Sequence, residues 1–395
     1  MDVVKLNGVI KPYLWGDSYF ISNLLGHNRK KSSQPQGELW IGTHEAGEAT
    51  LVIDETPLKE YLSTNSDEVL GSSHIQRFGK DLPFLLKVLA IKNPLSLQVH
   101  PNKEQAEKGY AREREMRALG NPSQLNYSDD RQKDEVLFAL TPVTAMVGFR
   151  DIKSILEDLS AIIGEHFNLF STLSTSEEFF KVLLNIDESI KREMLKDLEA
   201  YVSITKEVEP SLFLNSREIA LRALSLYPED IMCFAPFFLN VVHLDIGQAI
   251  HVKPTTLHAY VYGHGVELMS SSDNVLRGGL TNKKVDVKEL LSTLSFSEER
   301  IEKVTKRNVS DYMYTLNVES KEFVFSYVEK GMSEGENHDT LEIALVIEGN
   351  GKMKWNQKEI RYSKGDILLI PSTIDFYTIQ NSGLVILASV PKENK

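Results

Sequence analysis

The hydrophobic period of this chain changes twice, and that change restricts its fold more than any single motif. Up to about residue 150, short apolar runs are punctuated by Gly and Pro. Examples are Leu39-Trp40-Ile41-Gly42, Phe84-Leu85-Leu86-Lys87-Val88-Leu89 and Val136-Leu137-Phe138-Ala139-Leu140. Such runs read as strands. From about Ile152 to Leu226 apolar residues recur three and four apart, as in Ile190, Met194, Leu195, Leu198 and Val202, which is a helical period. Thr175-Ser176-Glu177-Glu178 and, more loosely, Asn215-Ser216-Arg217-Glu218 fit capping boxes. Strand patterning returns at Phe234 and runs to about Val390. The expected protein is mainly β with an all-helical insertion. A further helix over 103–120 lies between strands.

A chain of 395 residues exceeds one ordinary core and implies two or three domains. The net charge of −12 argues against nucleic acid or an anionic membrane as partner, though a local cluster of Lys and Arg can still hold a small anion. No apolar run reaches the roughly 20 residues of a membrane helix, and the N-terminus lacks the core of a signal peptide. Cys233 is the single cysteine, so no intrachain disulfide can form. These features predict a cytoplasmic protein.

Two segments resemble each other. Gly247 to Tyr260 and Gly365 to Tyr377 each carry a turn glycine, an apolar strand, a proline (Pro254, Pro371), a polar residue and then a tyrosine. Repeated hairpins of this form are the look of a cupin or jelly roll occurring twice. The first copy has His258 where the second has Asp375.

The stretch Pro94-Leu95-Ser96-Leu97-Gln98-Val99-His100-Pro101-Asn102-Lys103 places Gln98 and His100 two apart on a strand, on one face. With Glu135 and His258 they form a candidate ligand set suited to Zn²⁺ or a similar divalent ion. Spacing alone leaves the plainer reading open. A lone strand histidine is more often a hydrogen-bonded structural residue, and Glu135 can equally be an ordinary surface carboxylate.

Longer motifs bear on the choice. Pro12-Tyr13-Leu14-Trp15-Gly16, Glu38-Leu39-Trp40-Ile41-Gly42-Thr43-His44, Leu82 to Leu89, Pro94 to Lys103, His258-Ala259-Tyr260 and Ser272 to Thr281 occur in an order that resembles the type I mannose-6-phosphate isomerases of the cupin superfamily, nearly end to end. The resemblance implies one Zn²⁺ per chain held by Gln98, His100, Glu135 and His258. It implies catalytic roles for Arg277, Glu267, Asp273 and Lys133, and substrate contacts from Ser96, Lys103, Tyr260 and Lys283. The implied reaction interconverts mannose 6-phosphate and fructose 6-phosphate through a cis-enediol, serving mannose metabolism or GDP-mannose biosynthesis. A monomer is implied.

The implied domains are a catalytic cupin from 1–150 and 233–295, a helical insertion at 151–232, and a C-terminal cupin-like domain at 296–395 without a metal site. Arg131-Gln132-Lys133-Asp134-Glu135 departs from the family's Asn-His-Lys-Pro-Glu. Glutamine cannot carry a proton near neutrality. The alternative reading is therefore a non-catalytic, metal-containing sugar-phosphate sensor of the same fold.

Overall fold

The computed structural model describes residues 1–26, 32–118, 125–204, 211–298, 301–337 and 339–392. It is built from three antiparallel sheets and a block of helices. A 10-stranded sheet carries the strands around the candidate site. An 8-stranded and a 4-stranded sheet form the C-terminal unit, and the sheets do not close into a barrel.

The strand Phe84–Ile91 is buried along its whole length, which explains its unbroken apolar run. Its alternate residues serve different neighbours. Phe84, Leu86, Val88 and Ala90 enter a core shared with Phe325, Ile343, Leu345, Leu369 and Ile386 of the C-terminal unit. Leu89 and Ile91 face the opposite way, into the interior of the first unit with Leu137, Ile250 and Tyr260. Period two puts Lys87 on that second face, where a charge is expensive unless paired.

The strand His258–Ser270 is 13 residues long and joins the two halves of the 10-stranded sheet. Its first residues pair with Leu97–Val99 and Val143–Phe149, and its last with Phe84–Ile91 and Glu135–Ala139. The register shifts between Tyr260 and Tyr262. Such an irregularity bends a strand and re-aims its side chains.

Helices lie between the strands Val143–Phe149 and Leu239–Leu244, as the sequence predicts. Ile152–Ile162, Ser176–Leu184, Glu188–Ser203 and Ser216–Leu226 pack around Phe149, Phe170, Phe179, Phe180 and Phe238. The capping box at Asn215 and Glu218 is present. At Thr175 the side chain accepts from the Glu178 N–H. The helix expected after Pro101 spans Lys103–Ala118.

Val4–Asn7 pairs with Ile367–Ile370 and with Thr50–Leu51, so these N-terminal strands belong to the C-terminal sheet. Strand partners are chosen across the whole chain, and local pattern carries no record of them.

The internal repeat is structural. Val252, last in its strand, pairs with Glu135, first in its own, and Ile370 pairs with Glu342 in the same way. Tyr260 and Tyr377 are buried at matching places. In the second copy the Tyr377 hydroxyl donates to Glu342, and Asp375 is exposed.

Candidate metal centre and active site

Three ladder rows assemble the site. Gln98 pairs with His258 on one side and Arg277 on the other. Met269 pairs with Glu135, and Lys87 sits between Trp40 and Glu267. Residues opposite each other across antiparallel strands share a face, so four segments distant in sequence point into one place.

His100, Glu135 and His258 are fully buried and offer ligand atoms within 4.8 Å of one another. His100 Nδ1 lies 2.7 Å from the Asn274 carbonyl, and His258 Nδ1 lies 2.9 Å from the Thr256 carbonyl. A carbonyl only accepts, so both rings carry their proton on Nδ1. Each Nε2 lone pair is then turned toward Glu135, 3.2 Å from a carboxylate oxygen in both cases. This is the tautomer a histidine ligand needs, fixed from behind.

Lone pair facing lone pair at that distance is repulsive unless a cation joins them. His100 Nε2 and Glu135 Oε2 are buried with no hydrogen bond to satisfy them. Burial, and then Lys133, pushes the His100 imidazole down to about 4, so it stays neutral and able to ligate. Burial pushes the Glu135 carboxyl up, but Lys133 and His100 outweigh it and hold it well below the usual range. The Gln98 amide is 3.3 Å from His258 Nε2, and a half-turn presents its oxygen. The donor set fits a divalent ion such as Zn²⁺.

A cavity of about 720 Å³ opens beside these ligands. Ser96, Gln98, Lys133, Glu135, Tyr260, Glu267, Asp273, Arg277 and Lys283 all line it. Lys103 does not: its ammonium is 2.9 Å from the Asp130 carbonyl and 3.2 Å from Glu107, in a separate depression. Its place on the first turn of a helix carries it away from Ser96 and Gln98.

Cations concentrate along the wall. Lys133 lies 3.1 Å from Glu135. Arg277 Nη1 donates to Ser96 Oγ at 2.9 Å. Among the described residues no carboxylate is within ion-pair distance of that guanidinium, which leaves it free for an external anion.

The pocket holds a network that residue-level reading missed. Lys87 lies 3.2 Å from Glu267 and 3.6 Å from Glu38, and the Trp40 indole N–H donates to Glu38. Burial pushes Glu267 up to about 7; Lys87 pulls it down and Glu135 raises it. The available signal was a single charge inside an eight-residue apolar strand. Asp273 pairs with His44 at 2.8 Å. The His44 hydrogen bond holds its carboxyl below the ordinary value, against partial burial and aided by Lys133 and Lys87.

Two of the three departures from the family pattern, Gln132 and Asp134, are accounted for in space. The Gln132 amide is 3.4 and 3.5 Å from the Glu322 carboxylate, away from the main cavity. Asp134 is buried and 2.6 Å from His251 Nε2, and its N–H donates to Ser270 Oγ, a bond that proline cannot make.

The comparisons with known proteins agree with this geometry. The profile of the phosphomannose isomerase type I catalytic domain matches residues 3–152. The chain is 31% identical to mannose-6-phosphate isomerase of Escherichia coli (strain K12), over 96% of this chain and 97% of that one. It is 30% identical to mannose-6-phosphate isomerase of Homo sapiens, over 93% of each. The structure superposes on mannose 6-phosphate isomerase bound with zinc and yttrium with a TM-score of 0.88 and 28% identity, covering 99% of this chain and all of that one. The apo form from Salmonella typhimurium gives the same TM-score, identity and coverage. The ladder rows, the lone pairs turned on Glu135 and these full-length likenesses lead to one conclusion: the chain belongs to the type I mannose-6-phosphate isomerases.

Proposed function

We propose that this chain interconverts mannose 6-phosphate and fructose 6-phosphate as a zinc-dependent aldose-ketose isomerase, with Gln98, His100, Glu135 and His258 holding the metal. The observation that carries the proposal is the pair of Nδ1-protonated histidines aiming their Nε2 lone pairs at Glu135. When bound, Zn²⁺ supplies Lewis acidity for substrate oxygens on which negative charge develops.

The remaining chemistry belongs to side chains. Isomerisation moves one proton from C2 to C1 and a second from O2 to O1 through a cis-enediol. A carboxyl that burial has pushed up to about 7 is matched to reversible proton transfer at neutral pH, so Glu267 takes the proton at one carbon and returns it at the other. Lys87 keeps Glu267 from remaining permanently protonated. Lys133 and Arg277 stabilise charge on the enediol oxygens and the phosphate. Ser96 orients Arg277, and Lys283 meets the phosphate at the rim. Tyr260 closes the wall beside Glu135 and Glu267, whose charges, together with burial, keep its phenol protonated. Asp273 handles the proton exchanged when the pyranose ring opens.

A sugar phosphate therefore enters as an anion against a cationic wall despite the net charge of −12. Among the described residues no helix is long and apolar enough to cross a membrane. A cytoplasmic monomer is the form we propose, in keeping with one buried cysteine. The sensor alternative loses its support, because the Gln132 that prompted it faces Glu322. The test is conversion of mannose 6-phosphate to fructose 6-phosphate. Turnover should vanish with a chelator and return with zinc; a zinc-loaded protein without turnover would overturn the assignment.

A further inference from the structure

We infer that His44 is a positioning residue for this reaction: its Nε2–H ties down one oxygen of Asp273 and leaves the other to exchange a proton with the sugar. The inference rests on the role proposed above for Asp273.

The tautomer of His44 is set by its surroundings. The Ala46 N–H donates to His44 Nδ1 at 3.1 Å, so the ring proton sits on Nε2. That nitrogen is 2.8 Å from Asp273 Oδ2, and the His44 side chain is only 11% exposed. The ring is packed edge-on to Trp40 at 4.8 Å. The Asp273 backbone is held as well, since its N–H donates to Asp129 Oδ2 at 2.9 Å.

Position distinguishes the partners. Asp273 lines both the main cavity and a second one of about 490 Å³, while His44 lines only the second. The imidazole therefore stands behind the carboxylate, as seen by a ligand in the main cavity. His100 and His258 belong to the metal set, and Gln132 faces elsewhere.

Ring opening has a simple proton balance. The C1–O5 bond breaks, a proton leaves the O1 hydroxyl, C1=O forms and a proton arrives on O5, with no change of oxidation state overall. A carboxylate can accept the first proton and deliver the second if it is ionised and correctly turned. A hydrogen bond from an imidazole N–H to one carboxylate oxygen favours the ionised form and restricts rotation. His44 supplies both effects without touching the substrate.

The experiment uses the full chain loaded with zinc, with mannose 6-phosphate as substrate. His44→Ala should lower kcat about tenfold or more, with KM within about twofold and zinc content unchanged. His44→Gln, which restores an N–H donor at that distance, should recover most of the loss. Wild-type kcat in His44→Ala, or a loss that His44→Gln does not recover, would overturn the inference. Failure of the isomerase reading itself would show earlier, as absent turnover in the wild-type protein.

Discussion

Arg277 sits directly across an antiparallel pair from Gln98, so the free guanidinium and a metal ligand project from neighbouring strands onto one wall. Charge that develops on substrate oxygens is thus met from two adjacent positions. Arg277→Ala is expected to lower kcat/KM about 10²–10³-fold, the usual effect of losing one preorganised donor. Arg277→Lys should recover only part of this, because an ammonium cannot reproduce the fork. Steady-state kinetics with either sugar phosphate decide the matter.

Metal removal should cost stability as well as turnover. Without a cation, two histidine lone pairs and the Glu135 carboxylate confront one another in a buried site. Zinc at about 1,000 times its dissociation constant should stabilise the fold by about 4 kcal/mol. Chemical unfolding of chelated and zinc-loaded protein measures the difference. Equal stability would mean that the ligands do not converge on a metal.

Lys87 is the shared counter-charge of Glu38 and Glu267. Lys87→Met keeps most of the volume but leaves two buried carboxylates without it. Breaking a buried pair in this way costs about 3–5 kcal/mol, and turnover should fall with it because Glu267 becomes harder to ionise. Urea unfolding reads the stability loss; a variant as stable as wild type would show that the network is not held by charge.

Glu342 gives a pH signature far from the metal. Burial pushes this carboxyl from 4.5 up to about 7, with the Tyr377 hydrogen bond and Lys392 opposing. A folded value above the unfolded one means that the protonated form favours the fold. That contribution is whole below pH 4.5 and is lost as pH rises through about 7. The span is at most about 3 kcal/mol. Glu342→Gln should flatten the decline, visible as a smaller difference in unfolding free energy between pH 4.5 and 8. An unchanged decline would exclude Glu342 as its source.

Gln132→His restores the family residue at a position that does not line the main cavity. It is expected to leave kcat within about twofold, a barrier change below about 0.4 kcal/mol. A large gain would mean that the side chain reaches the substrate during turnover.

Much of this was open to inspection in the sequence. The switch from strand to helical period marked the insertion, because each face of an element must meet its own environment. Gln98, His100, Glu135 and His258 were named from motifs, and they line up in space because strand pairing sets Gln98 beside His258. Lys103 was misplaced because a motif records order along the chain, while a helix turn decides direction. His44 and Lys87 stood inside quoted motifs without a role, since their partners Asp273 and Glu267 lie far downstream. The Asp134–His251 pair was hidden for the same reason.

The pairing of Val4–Asn7 with Ile367–Ile370 reaches into biosynthesis. Lys5 meets Asp366, 361 positions away, so Val4–Asn7 can pair early with Thr50–Leu51 on one edge, while its other edge has no partner until Ile367–Ile370 has been synthesised. Until then its unpaired edge and the apolar residues beneath it stay open to other chains. Such late closure is slow and exposes nascent protein to aggregation. Expression yield should therefore respond to chaperone supply and growth temperature, and truncation before Ile367 should leave one edge of Val4–Asn7 unpaired.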